Sequence, residues 1–186
     1  MKSELLRISA LSSVVLGKIL VALGLTPSIR KSRKTQESLI FYGSLLQING
    51  DSIVAEFHPK GSPYRFGTQL EALGYVIGTF AFIVFPDPFV RLKFLKFNNL
   101  DQVLGGTVIL TDKNAWKENY LVVGNVAAVI GNFLLALGTT SRMRSPAPLS
   151  YIDPLETKGA WTTMASATII LLGELARASG LTFQSD

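Results

Sequence analysis

Between residues 121 and 140 the chain carries no charged side chain. A helix needs roughly 20 apolar residues to cross the hydrocarbon core of a bilayer. This stretch is therefore either a membrane span or the centre of an unusually apolar soluble helical domain. The placement of charge elsewhere favours the membrane. Charged residues make up 17% of the 186 and hydrophobic ones 48%, where a soluble domain has about 25% charged. The charges gather in short patches between long apolar stretches, as they do where a chain passes from headgroups into hydrocarbon.

Four more segments can lie in or on a membrane. Residues 5–25 are apolar but broken by Arg7 and Lys18. Residues 38–57 open on an apolar run and then meet Asn49, Asp51 and Glu56, which makes a weak span. Residues 72–88 end on Pro86-Asp87-Pro88, and two prolines so close stop a helix. Residues 161–180 are apolar to Leu172 and then carry Glu174 and Arg177. The fold expected is an all-α membrane protein: one multipass domain over residues 1–186, a bundle of four to five short transmembrane or interfacial helices with irregular connecting loops.

Among the connections, residues 89–97 alternate aromatics with Arg91, Lys93 and Lys96, which suits a segment lying along headgroups. Residues 101–112 place Gly105-Gly106 before Thr-Val-Ile-Leu, the pattern of a small hairpin outside the bilayer. Ser145-Pro146-Ala147-Pro148 reads as a stiff connector. With five spans and the N-terminus outside, ten Lys or Arg fall inside and seven outside; with four spans the split is nine to eight. The positive-inside rule leans toward five. The first apolar run has no small-residue cleavage site after it, so it is expected to stay as a helix rather than be a removed signal.

Glycine spacing is the most regular feature. Six pairs stand seven apart: Gly17/Gly24, Gly43/Gly50, Gly67/Gly74, Gly124/Gly131, Gly131/Gly138 and Gly173/Gly180. Scattering 16 glycines at random gives about one or two such pairs. Seven residues is close to two helical turns, so each pair shares a face on which another helix can approach closely. Gly74 and Gly78 add a four-residue spacing on the third segment. A polar residue follows the second glycine in Gly50-Asp51, Gly131-Asn132 and Gly173-Glu174, which suggests an internal repeat.

Intramembrane polar residues are the other candidates for function. Lys18 at a helix centre would cost about 2.5–3.5 kcal/mol on insertion scales, unless it reaches the interface or its helix lies flat. Glu174 pairs most simply with Arg177 three positions on; a Lys18–Glu174 bridge between first and last helices is the sharper alternative. Asn125 and Asn132, seven apart on the most apolar segment, suit interhelical hydrogen bonds. His58 is the only histidine, lies beside a proline and has no ligand-like companions, so a surface position is expected.

The net charge of +5 and pI near 9.6 come from residues flanking apolar segments, and no nucleic-acid motif accompanies them. No cysteine is present, which excludes disulfides and thiolate metal sites. There is no phosphate-binding glycine loop, paired-histidine motif or nucleophile elbow, so an enzyme is not expected. No cofactor or metal is predicted, although clefts between helices could take bound lipid or pigment. The expected function is a non-catalytic accessory or structural subunit of a larger membrane complex. Its partners would be other membrane subunits and the bilayer. The alternative is a small homo-oligomeric channel or transporter, in which Lys18, Asn132 and Glu174 would line one polar path.

Overall fold

The computed structural model describes residues 2–29, 32–145 and 151–180, and the chain is helical over nearly all of them. Six long helices follow one another: α1 Lys2–Gly24, α2 Arg33–Glu56, α3 Pro63–Val84, α4 Pro88–Ile109, α5 Asn119–Arg144 and α6 Pro154–Ala178, with a single 3-10 turn at Ala115–Lys117 before α5. No strand occurs among the described residues.

This corrects the expectation of four to five short helices. Each has 22 to 26 residues, which at 1.5 Å per residue is about 33–39 Å, longer than a hydrocarbon core of roughly 30 Å. The largest correction falls on residues 89–112. The aromatic and basic stretch expected along headgroups and the hairpin expected at Gly105-Gly106 are two halves of one helix, α4. Neighbouring helices explain why the glycines do not break it: both are buried against α3 or α5. Pro86-Asp87-Pro88 does stop a helix, since α3 ends at Val84, and prolines of the connections also act as starts. Pro63, Pro88 and Pro154 occupy the first turn of α3, α4 and α6, each behind a capping side chain, Ser62, Asp87 and Asp153. A missing N–H costs nothing there. Residues 146–148 of the expected stiff connector lie outside the described residues.

Each helix packs on its predecessor, and α6 returns to α1, so the six close into an up-and-down ring. The glycines set its tightest seams, and they do so within the chain. A Cβ added at Gly17 would stand 2.5 Å from the Gly43 carbonyl oxygen, and one at Gly43 would stand 2.6 Å from that of Gly17. Gly105 meets Gly67 O at 2.6 Å, and Gly159 meets Gly131 O at 2.5 Å. The ring is thus three glycine-locked hairpins: α1–α2, α3–α4 and α5–α6. Gly50 packs on Ala10 and Val14 of α1, Gly24 on α2, Gly74 and Gly78 on Asn98 of α4, and Gly124, Gly138 and Gly173 lie in the α5–α6 seam. Gly180 departs from the pattern: it lies beyond α6 with φ +73° and meets nothing within 4 Å.

The hairpins repeat in register. On the odd helices, Ala10, Gly67 and Gly124 fall at equal chain intervals, as do Gly17, Gly74 and Gly131, and then Gly24, Ala81 and Gly138. One position after each of these except Ala81 comes a residue that lines the ring's interior.

Side-chain polarity departs from that of a soluble bundle: large apolar side chains are exposed, and polar ones are buried beside the apolar core. Exposed positions on the helices include Leu73, Phe80, Ile83, Phe97, Leu104, Ile130 and Phe133, with Ile83 70% exposed. Buried ones include Gln47, Asp51, Gln102, Asn132, Thr163 and Ser166. A soluble domain hides its large apolar side chains and seldom exposes them in extensive patches. Three helices, α1, α3 and α5, are long and apolar enough to cross a membrane. The even helices carry many of the buried polar side chains, among them Gln47, Asp51, Asn98, Asn99, Gln102, Thr163 and Ser166, which lowers their average hydropathy.

Candidate functional site

The interior can be followed from one end of the ring to the other in steps of three and four residues. That is the heptad rhythm of helices that keep one seam turned to a common axis. On α1 the inward positions are 11, 14, 18, 21 and 25, and on α5 they are 125, 128, 132, 135 and 139. At the middle level each helix supplies one buried side chain: Lys18, Gln47, Tyr75, Gln102, Asn132 and Thr163. All six are polar. Lys18 Nζ donates to the Tyr75 hydroxyl at 2.8 Å, and Gln102 Nε2 donates to Asn98 Oδ1 at 2.6 Å.

Two chambers meet at this level, each with about 50 Å³ open to the centres of water molecules. Since one water needs about 10–15 Å³ by that measure, each has room for a few. The first, toward the α1–α2, α3–α4 and α5–α6 turns, adds Ser44, Asn98, Asn99 and Thr139 to the middle level. The second, toward the chain termini, holds Asp51, Glu71, Thr68, Asn125 and Ser166. Lys18 lines both. The amides Gln47 and Asn125 donate to carbonyls of their own helices, at 3.2 and 2.7 Å. Asn132, 1% exposed, has an Oδ1 with no partner among the described residues.

Apolar clusters close both ends. Toward the hairpin turns, Ala22, Leu25, Ile40, Leu135, Ile152 and Ala160 pack together. Toward the termini, Ala10, Leu11 and Val54 form one cluster, and Tyr64, Ile109, Ala115 and Leu121 another. Charged groups then tie the rims. At the terminal end Glu174 contacts Arg7 of α1, accepts from Arg177 at 2.9 Å and from the Tyr120 hydroxyl at 2.9 Å. At the other end Glu156 accepts from Arg142 at 3.2 Å, Thr139 at 3.0 Å and the Asp153 amide at 3.1 Å.

The sequence candidates therefore separate. Lys18, Asn125 and Asn132 line the chambers, and Asp51, read from sequence as a mark against a span and as part of the glycine repeat, joins them. Glu174 does not: it belongs to the rim, and its partner on α1 is Arg7 rather than Lys18. The local Glu174–Arg177 pair is present as well. Asn125 bonds its own helix at Leu121 O and also hydrogen-bonds the Tyr64 side chain of α3, the interhelical contact expected of it. His58 is not a simple surface residue. Its ring stacks on Tyr64 with centroids 3.8 Å apart. Burial, assisted by Arg7 and opposed by Asp112 and Glu174, pushes its pKa down to about 4. Sequence reasoning missed Glu71, Tyr75, Gln47, Gln102, Asn98 and Asn99. The heptad frame that starts from the residue after each glycine would have found Tyr75 directly.

Among the described residues no three His, Cys, Asp or Glu side chains gather closely enough to hold a metal ion. What the interior offers is hydrogen-bonding groups and a few charges around two small chambers. No curated protein and no solved structure matches the chain. Residues 6–171 match the model of a family of unknown function, DUF6944, and the chain belongs to that family.

Proposed function

We propose that this chain is a multipass membrane protein whose ring of six helices encloses a gated route for a small polar species, acting as a channel or transporter within one chain. The observation that carries the proposal is the middle level: six buried polar side chains, one from each helix, around chambers that can hold water. A polar interior inside an apolar shell has little reason to exist in water but is what a permeation route through lipid requires. The apolar clusters at both ends suit gates that open by wetting.

Other features support placement across a bilayer. Trp116 and Trp161 lie near opposite ends of the ring, both partly exposed, with indole N–H groups bonded to Leu110 O and Thr26 Oγ1. Tryptophans sit at interfaces in this way. Counted over six crossings, ten Lys or Arg flank the three hairpin turns and seven the terminal side, with Lys18 between. The hairpin turns then face the cytoplasm.

The accessory-subunit expectation loses much of its motive, because the glycines that were to receive partner helices are used between helices of the same chain. The test is flux. Purified protein in liposomes should shorten the relaxation of an imposed osmotic, solute or pH gradient. Asn132→Leu should remove that effect while leaving the gel-filtration profile unchanged. Liposomes that behave as empty ones for water, protons, alkali cations and small neutral solutes alike would sink the proposal.

A further inference from the structure

We infer that the chamber nearer the termini is a proton-holding site, in which Asp51 and Glu71 share one exchangeable proton beside Lys18; this rests on the proposed polar route and names what moves through it. The first support is charge counting. The titratable groups facing the two chambers are Lys18 from α1, Asp51 from α2, and Tyr64, Glu71 and Tyr75 from α3; α4 and α6 present none, and α5 only Arg142 at the far end, where it is tied to Glu156. One ammonium and two carboxylates sum to minus one. An uncompensated charge inside a ring of apolar helices is strongly unfavourable. Neutrality is reached with one additional positive charge.

The chamber's size and ligands select a proton for that role. It admits only a few waters. A proton needs only the two carboxylates, and no third acidic or histidine side chain gathers with them among the described residues. Lys18 adds a fixed positive charge. Its Nζ donates to the Tyr75 hydroxyl rather than to a carboxylate, so it stands in the route at the level where all six helices contribute a polar group. There it repels other cations and compensates one of the two acids.

The second support is placement. Each of these charges occurs once among three equivalent positions of the repeated hairpins. Lys18 corresponds to Tyr75 and Asn132, Glu71 to Val14 and Ala128, and Asp51 to Gly106 and Ala167. All three charged residues come from α1, α2 and α3, adjacent in the ring. The repeat is broken in one sector and by a complementary set. In the exchange itself, a hydronium in the chamber water breaks one O–H bond and leaves a neutral water as its proton forms an O–H bond on one carboxylate oxygen. The proton's departure to water on the other side restores the carboxylate. Lys18 stays an ammonium throughout.

Infrared spectroscopy on the protein in lipid nanodiscs, joined to proton flux in liposomes, tests this. Wild type should show the carbonyl stretch of a protonated carboxylic acid at neutral pH, and Asp51→Asn/Glu71→Gln should lose it. Lys18→Met should strengthen it, because removing the ammonium forces a second carboxyl to take a proton. Either single acid variant, both nearly isosteric, should slow proton flux by about tenfold or more, as expected for loss of an intramembrane relay group. Absence of the band in wild type, or a band unchanged in the double variant, overturns the inference. Flux that follows sodium or a neutral solute and ignores the pH gradient overturns it too, while leaving the polar route standing. A band that behaves as described with no flux of any kind supports the site and refutes the route.

Discussion

Replacing Gly17 by alanine tests the seam on which the ring depends. The new Cβ would stand 2.5 Å from Gly43 O and 2.7 Å from Gln47 Cγ, against 3.4 Å for ordinary contact. The nearest atom is backbone and cannot rotate away, so α1 and α2 must part by about 0.9 Å there. A gap of that size forfeits a quarter to a half of each van der Waals well along the seam, and overpacking costs about 1–3 kcal/mol. Alanine returns up to about 1 kcal/mol through helix propensity. The net expectation is a loss of up to about 2 kcal/mol. Gly78→Ala is the control. The three atoms nearest its Cβ are all in the Asn98 side chain, at 3.2 to 3.4 Å, which can shift by a few tenths of an ångström, so propensity should prevail and the variant should be neutral or slightly more stable. The double variant Gly17→Ala/Gly43→Ala should cost less than the two singles together, since one separation accommodates both methyl groups. Helical circular dichroism during SDS titration of mixed micelles reads all of these. If Gly17→Ala proves as stable as Gly78→Ala, or the pair is additive, the close-contact account of the hairpins is wrong.

The remaining predictions concern the rims and connections. Arg142→Met leaves Glu156, 2% exposed, without its guanidinium; breaking a buried pair from one side costs about 3–5 kcal/mol, and the same titration should show it. Asp153→Ala removes one half of the capping box of α6 and should cost about 0.5–2 kcal/mol, measurable as a lower thermal midpoint. His58 has a folded pKa of about 4, depressed from 6.5. Its neutral form therefore stabilises the fold fully above pH 6.5, and that contribution is lost as pH falls from 6.5 toward 4. His58→Phe keeps the stack on Tyr64 without the titration, so its stability should fall less than wild type's over that interval. Equal losses would remove His58 from the pH response.

The helical class and the apolar segments are legible in the sequence because they depend on composition and local runs. The number of helices is not, and α2 and α4 show why. A helix facing lipid on one side and a polar interior on the other averages to an intermediate hydropathy. Asp51, Asn98, Asn99 and Gln102 then read as loop or interface residues. The seven-residue glycine spacing is legible as a rule of packing, and its partner is not. Only the closed ring reveals that Gly17 meets Gly43, Gly67 meets Gly105 and Gly131 meets Gly159. Lys18 and Asn132 stand out from sequence as polar residues in apolar runs, whereas Glu71 lies before the third apolar run in a stretch that also holds Arg65 and Gln69. Its chamber exists only once α2, α3 and α5 are assembled.

The central claim, a polar interior inside a lipid-facing shell, is tested most directly at two adjacent residues. Asn132 is buried in the first chamber, and Phe133, next to it, is exposed on the outer face. The chain has no native cysteine, so Asn132→Cys and Phe133→Cys each carry a unique thiol. In liposomes a small water-soluble thiol reagent should label Asn132→Cys and leave Phe133→Cys, held protonated in lipid, unmodified. Labelling of Phe133→Cys first, or of neither thiol, would contradict the account.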